Sequence, residues 1–301
     1  MIIKNKPKVS VIMNCYNCSK FLREAIDSVY AQTFTDWEII FWDNASTDSS
    51  AIIALSYDSK LKYYRAAKTT DLGYARVLAV KKSTGKYLAF LDCDDLWLKN
   101  KLKDQIDIFS QEESDLGIVY GRASRFLDND KNKVLPGFFN ESSKLPEGMI
   151  FDKIVKGDFI PFVSAVVPKS IYEKCGGFPI HYKNATDYSL FLRILYQYPA
   201  RAMQSVCCMY RVHDSNLSKA LALDGVWENI EAIQEFPINK ITKIGLRYQY
   251  LTLSIYYYKN GKYLSFLKIL FFKQIFFLII RRLYVKSRKA LIFFLLKKPI
   301  I

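Results

Sequence analysis

Three carboxylates fall within four residues at Asp92-Cys93-Asp94-Asp95. Like charges this close repel, and burying them without a compensating cation is costly. A hard divalent ion resolves the conflict, and Mg2+ or Mn2+ commonly joins such carboxylates to phosphates. The plainer alternative is a solvated acidic loop that caps the helix beginning near residue 99. Asp43-Asn44-Ala45-Ser46-Thr47-Asp48 forms a second cluster, rich in turn and cap formers. Asp187 opens a later helical stretch, where Asp is a favoured N-cap, and His213 closes an extended one. Cys15-Tyr16-Asn17-Cys18 is a Cys-x-x-Cys between a strand and a helix, where a redox dithiol would sit. A single pair makes no zinc set, and the aspartates have no part in dithiol exchange, so the pair reads as incidental.

The elements that must hold these residues alternate. Val9–Met13, Glu38–Trp42, Leu61–Tyr64 and Tyr87–Leu91 are short apolar runs of buried-strand type. Between them, Ser19 can cap a helix with Leu22, Ala25, Ile26 and Val29 on one face. A second helix runs from about Gly73 to Ser83 and stops at Gly85, and Leu102, Ile106 and Phe109 mark a third. The pattern predicts an α/β fold with a doubly wound, parallel sheet. Ligands in such sheets bind beyond the carboxyl ends of the strands, where Asn14–Asn17, Asp43–Asp48 and Asp92–Asp95 all fall. Further on, Asp128–Asn132 reads as a hairpin turn and Pro161–Val167 as extended. Ser170–Glu173 fits a capping box for a short helix ending at Gly176-Gly177. Asp187 opens a helix carrying Leu190, Phe191, Ile194 and Leu195, and 202–212 is extended.

The order and spacing of these stretches resemble the inverting family 2 glycosyltransferases over about residues 8–218. The resemblance rests on Val9–Asn17 with Phe21–Val29, on Asp43–Asp48, on Ala75-Arg76, and on Gly85–Asp95 with its Asp-x-Asp. It continues through Gly176-Gly177-Phe178, Asp187–Arg193 and Tyr210–His213. It implies a GT-A fold, with a Rossmann-like, mostly parallel sheet flanked by helices, and a nucleotide-diphosphate sugar donor. By position, Tyr16 would lie against the base and Asp43 would bond it, with Asn17, Arg76 and Cys93 also in the nucleotide-sugar site. Asp92 would contact ribose, Asp94 would hold Mn2+ or Mg2+, and Asp95 would share one of those roles. His213 would approach the metal or diphosphate, and Asp187 would be the catalytic base. Inversion needs one base and no enzyme nucleophile; a retaining hydrolase would need two opposed carboxylates.

Three positions depart from the family pattern. Asn14-Cys15 stands where many relatives have Pro-Thr, Val77 where many have Asn, and Thr186-Asp187 keeps only the second of two acids. The last of these keeps open a nucleotide-sugar-binding protein without transfer activity. Tyr16 and Asp43 would suit a UDP-sugar, and the acceptor would be a glycan or lipid-linked hydroxyl in surface polysaccharide synthesis.

The chain has 301 residues and a net charge of +15, unevenly spread. Residues 1–235 carry 30 basic and 29 acidic residues, whereas 236–301 carry 14 basic residues and no acid. A balanced body excludes a general polyanion binder, and half the residues being hydrophobic excludes overall disorder. From Tyr263 to Ile280 apolar and aromatic residues dominate, interrupted by Lys268 and Lys273, with Arg281-Arg282 following. A span needs about 20 residues, and each central lysine costs about 2.5–3.5 kcal/mol. An interfacial helix on an anionic membrane fits better than a span, and nucleic acid is not an expected partner. Packing on the body or an oligomer interface are the alternatives. The expected organisation is a catalytic domain over 1–220 and a helical, basic-aromatic extension over 221–301. Without an evident signal segment and with six scattered cysteines, the expected location is cytoplasmic, on the inner face of the cell membrane.

Overall fold

A computed structural model describes residues 6–112, 115–128, 130–135 and 143–272. In chain order the strands are β1 (Val9–Cys15), β2 (Trp37–Asp43), β3 (Leu61–Arg65), β4 (Tyr87–Phe90), β5 (Leu96–Trp97), β6 (Ile118–Leu127), β7 (Asp130–Leu135), β8 (Val166–Pro168) and β9 (Ala200–Val212). The helices are α1 (Ser19–Tyr30), α2 (Ser50–Leu55), α3 (Leu72–Lys82), α4 (Lys101–Gln111), α5 (Phe151–Ile154), α6 (Lys169–Lys174), α7 (Thr186–Gln197), α8 (Leu217–Ala220), α9 (Ala222–Gln234), α10 (Lys240–Lys259) and α11 (Tyr263–Phe272).

The sheet runs β3-β2-β1-β4-β8-β6-β9-β5, with β7 added to β6. The first four strands are parallel, β8 is antiparallel to β4, and β6 and β9 are parallel to each other. Side-chain alternation along β1, β2 and β4 explains their continuous apolar sequences, because both faces are covered. Ile12, Ile40, Trp42, Leu88 and Phe90 join one core with Ala75 and Ala79 of α3 and Leu190, Phe191 and Ile194 of α7. Val11, Met13, Ile39, Phe41 and Ala89 join the other, with Leu22, Ala25, Ile26 and Val29 of α1 and Leu102 and Ile106 of α4.

Register sets the site. Cys15 pairs with Asp43 and Asp43 with Arg65, and β4 ends two residues before Asp92. The three polar clusters therefore meet at the carboxyl edge of one sheet.

Several local expectations change. Ser19 is the first residue of α1 and not its cap; its amide donates to Asp48 Oδ2 at 2.9 Å. Asp48 Oδ1 also accepts the amide of Ser50, at the start of α2, so one carboxylate serves two helix starts. Partial burial opposes its charge, but the donors at Ser50 and Ser19 hold its pKa down to about 2. Helix α3 ends at Lys82, and Gly85 instead allows a close approach to β1: a Cβ there would lie 2.6 Å from Ser10 N. Helix α6 starts at Lys169 behind Pro168, with no side-chain cap bond, so the Ser170 box is not formed. Its end is as expected: Gly176 and Gly177 take φ of +81° and +66°, which suit glycine.

Helix α9 packs into the main core through Ala232 and Ile233, and the ring of Phe236 just beyond it meets those of Phe151 and Tyr196 at a tilt. Among the described residues no helix is long and apolar enough to cross a membrane. Residues 273–301, which carry much of the basic-aromatic run, lie outside the described residues.

Candidate active site

The base-side wall is built from the ends of β1 and β2. Tyr16 is half exposed at the sheet edge. Asn17 adopts a left-handed backbone (φ 54°), as does Ala45 facing it (φ 65°). Uncommon conformations outside glycine persist only where surroundings fix them. Here the Asn17 amide donates to Ser46 Oγ at 3.0 Å, and its Oδ1 accepts the Thr47 amide at 2.8 Å. Asp43 is fully buried: Oδ1 accepts the Ser46 amide at 2.7 Å, and Oδ2 accepts from Tyr63 Oη at 2.6 Å and Arg65 Nη1 at 2.8 Å. Arg65 Nη2 also donates to the Ser46 carbonyl. Tyr63 and Arg65 are thus parts of this wall that sequence reading missed. Strand periodicity was their only signal, since they follow β2 by about twenty positions.

The carboxylate turn is anchored from behind. Asp95 is buried; its Oδ1 accepts the Arg211 amide at 2.8 Å, and its Oδ2 has no hydrogen-bond partner. Arg211 is equally buried. Its Nε donates to the Asp94 carbonyl and Nη2 to Glu24, each at 2.8 Å, and its guanidinium lies over the rings of Phe21 and Phe126. Burial, together with the charges of Asp94 and Asp92, pushes the Asp95 carboxyl well above its ordinary range.

Asp94 faces His213, with Oδ2 and Nε2 2.9 Å apart. Nε2 also lies 3.0 Å from Asn216 Nδ2, and Nδ1 lies 2.8 Å from Ser215 Oγ. A carboxylate oxygen and an imidazole nitrogen this close form a donor set that one Mn2+ or Mg2+ ion fits, with the unpartnered Asp95 Oδ2 behind it.

Arg76 joins this turn to the start of α7. It is buried, with its guanidinium over Phe162 (3.8 Å) and Phe178 (5.6 Å). Nη2 reaches Asp92 Oδ1 at 3.4 Å, and Nη1 donates to the Thr186 hydroxyl. The threonine that replaces an acid is therefore a buried partner of Arg76. Asp187, next to it, accepts the Tyr188 amide on Oδ1 at 2.9 Å. Enclosure in the cleft raises its carboxyl despite the opposing charge of Arg76. Asp92 is raised to about 6, chiefly by the same enclosure, with Arg76 opposing and Asp94 and Asp187 adding to the rise. Asp158 is a further carboxylate near Asp187; it is exposed at the surface, yet lost solvation and the Asp187 charge raise its carboxyl. No sequence signal points to it, because it sits alone between Gly157 and Phe159.

Cys93 lies between these carboxylates but turns away from them. It is buried, and its thiol donates to the Asn14 carbonyl at 3.4 Å. The Cys15, Cys18 and Cys93 sulfurs lie within 4.8 Å of one another. Hydrogen bonds from Cys18 and Cys93 pull the Cys15 thiol down to about 4 against its burial. A groove of 730 Å³ opens beside His213, lined by Arg125, Asp128, Tyr210, Asp214 and Lys219 among others.

These groups gather at the carboxyl edge of the sheet, where ligands of such folds bind. The sequence profile of glycosyl transferase family 2 matches residues 10–176, and the chain belongs to that family. It is 28% identical over 263 residues to UDP-Glc:alpha-D-GlcNAc-diphosphoundecaprenol beta-1,3-glucosyltransferase WfgD of Escherichia coli, covering 84% of this chain and 98% of that one. Staphylococcus aureus TarS 1–349, solved with UDP-GlcNAc, superposes with a TM-score of 0.69 at 17% identity, covering 87% of this chain and 79% of TarS. The mannosyltransferase PcManGT of Pyrobaculum calidifontis, solved with GDP-Man and Mn2+, superposes at 0.59 with 16% identity, covering 85% and 76%. The two superpositions share the GT-A fold with this chain. The protein is a glycosyltransferase.

Proposed function

We propose that the chain is a metal-dependent, inverting transferase that moves a sugar from a UDP-sugar to a hydroxyl of a lipid-linked glycan in surface polysaccharide synthesis. The observation that carries this reading is the Arg76 bridge. It sets the carboxylate turn and the Asp187 helix against each other, as in-line transfer between a donor and an acceptor requires. The WfgD name adds a UDP-glucose donor and a diphosphoundecaprenol-linked acceptor as the nearest chemistry to test.

In this reading Tyr16 stacks on the base, and the Asn17 loop with Asp43, Tyr63 and Arg65 forms the wall around it. Asp92 takes the ribose, and the backbone of Cys93 shapes the turn beneath it. Arg76 balances charge along the nucleotide. Asp94 and His213 hold the cation, and Asp95 fixes the turn that presents Asp94. A bound divalent cation supplies neutralisation of the charge that gathers on the departing diphosphate. Asp187 removes the acceptor proton as the oxygen attacks the anomeric carbon from the side opposite the leaving group. The groove beside His213 is open to the rest of the acceptor. Residues 1–220, with α9 packed into their core, form the catalytic unit, and the basic, aromatic run beyond it holds that unit to the cytoplasmic face of an anionic membrane. Exposed Tyr263, Leu264 and Leu267 of α11 lead into that run.

The test is transfer from UDP-glucose to a GlcNAc-diphospholipid with Mn2+, with product configuration read by NMR. A β-linked product, lost in Asp94→Ala and Asp187→Ala, is the expected result. Full activity in both variants overturns the assignment. Deleting 262–301 should release the protein from anionic vesicles; unchanged partitioning removes the membrane role.

A further inference from the structure

Cys15 and Cys18 were set aside above because two thiols are too few for a metal. The fold supplies the third. Residue 93 lies six positions beyond Tyr87, as Cys15 lies six beyond Val9, and Val9 pairs with Tyr87 in parallel register. Continuing that register sets Cys93 beside Cys15, and Cys18, the N-cap residue just ahead of α1, lies close to both. All three cysteines are free, and their sulfurs lie within 4.8 Å of one another.

We infer that Cys15, Cys18 and Cys93 form a site for one thiophilic cation of the Zn2+ class, separate from the carboxylate–histidine site. Zinc–sulfur bonds of about 2.3 Å in tetrahedral geometry place sulfurs about 3.8 Å apart. The cluster needs to contract by less than about 1 Å to reach that spacing. Ser46 Oγ, 3.9 Å from Cys15 Sγ, or a water molecule fills the fourth position. Cys18 is the partly exposed member and gives the ion a way in, while Cys15 and Cys93 are closed off. On binding, the three thiols lose their protons to solvent, and the weak contacts of Cys93 to the Asn14 carbonyl and of Cys18 to the Tyr16 carbonyl give way to metal bonds. Ordinary buried cysteines serve as small apolar groups and need not converge; three converging from two chain segments are a ligand set. Thiolates favour soft ions and the Asp94–His213 pair a harder one, so each site selects its own metal.

The consequence rests on the function proposed above. Tyr16 and Asn17 are the residues between Cys15 and Cys18, and Cys93 lies between Asp92 and Asp94. The ion would pin the base-contacting loop to the carboxylate turn.

The test is made on the reduced full-length protein, loaded with Zn2+ alone and dialysed, with zinc measured by mass spectrometry. Co2+ loading reports thiolate ligation through its charge-transfer absorption. One retained equivalent, thiolate-to-cobalt bands, and loss of both in Cys18→Ser and Cys93→Ser but not in Cys175→Ser is the expected result. No retained zinc, or zinc that survives Cys18→Ser with Cys93→Ser and disappears in Asp94→Asn, overturns the inference. If the serine variants fail to fold, alkylation of the wild-type chain decides: Zn2+ must protect Cys18, and unchanged labelling overturns it. Metal content is read without turnover, so an inactive protein that keeps its zinc counts against the transferase reading alone.

Discussion

Glu228 Oε2 accepts the backbone amide of Ala185 at 2.7 Å, two residues ahead of Asp187. The same carboxylate takes the amides of Lys183 and Asn184 at 2.7 and 2.9 Å. A residue of α9 thus shapes the loop that delivers the proposed base. Asn184 closes the joint by packing on Gly225, where an added Cβ would lie 2.5 Å from its Nδ2.

Glu228→Ala should therefore cost about 2–4 kcal/mol in stability, since charged hydrogen bonds are each worth about 1.5–3 kcal/mol and do not add fully. The kinetic expectation is a fall in kcat of at least about tenfold, with the donor KM little changed. Urea melts and donor and acceptor titrations check both parts.

Asp187 gives a pH prediction. Enclosure raises its carboxyl, and the base works only when ionised, so kcat should fall as pH drops through a value above the ordinary aspartate range of about 3.9. A pH–rate profile with saturating donor and Mn2+ measures it. A plateau that continues below pH 4 contradicts the assignment.

Arg76 bridges two halves of the site through two ends of one guanidinium. Lysine keeps the charge but not the fork. Arg76→Lys should lower kcat/KM by about tenfold to a hundredfold, about 1.4–2.8 kcal/mol of transition-state stabilisation. Arg76→Met, which strands Asp92 and the Thr186 hydroxyl together, should also lower Tm. A lysine variant with wild-type kcat/KM would remove the bridge from the mechanism.

Glu38 is a buried acid at the opposite end of β2, bonded by Ser10 Oγ (2.6 Å), the Thr84 amide (2.7 Å) and Oγ1 (2.8 Å), and Lys62. Burial works against its charge, but these donors win and its pKa is lowered. A carboxyl lowered on folding stabilises above its unfolded pKa, about 4.3, and loses that contribution as pH falls through the folded value. Glu38→Gln should therefore lower Tm at pH 7, with the gap to wild type closing below about pH 4. Thermal melts across that range check it.

How much of this was legible follows from sequence distance. The strands around Ile12, Ile40 and Phe90 stand out as apolar runs because both sheet faces are covered. The clusters at Asn17, Asp43 and Asp94 follow, since a parallel sheet collects strand ends at one edge. Cys93 was read as part of a nucleotide turn, but its thiol joins Cys15 and Cys18 through a register that no local pattern encodes. Asp43 was read only for its bond to a base, and its bonds to Tyr63 and Arg65 come from the neighbouring strand, out of reach of any local pattern. Arg211 carried a motif but no role, because its partners at Glu24 and Asp95 are brought together only by the fold. Glu228 was counted as part of an extension, and its task is to accept three amides in front of α7.

The anchoring of Arg211 divides the Asp94–His213 pair unequally. Asp94 belongs to a turn fastened through a desolvated cation to α1, β6 and β9, so moving it means opening several contacts together. His213 belongs to a small turn with its own internal bonds, the amide of His213 to Asn216 Oδ1 and its ring to Ser215. Asn216 of that turn also donates to the Arg211 carbonyl of β9 at 3.2 Å, and the His213 ring packs on Phe21 of α1. In such a pair the aspartate is the doorframe, set by a buried guanidinium, and the histidine the latch, set by a short turn that leans on the same strand.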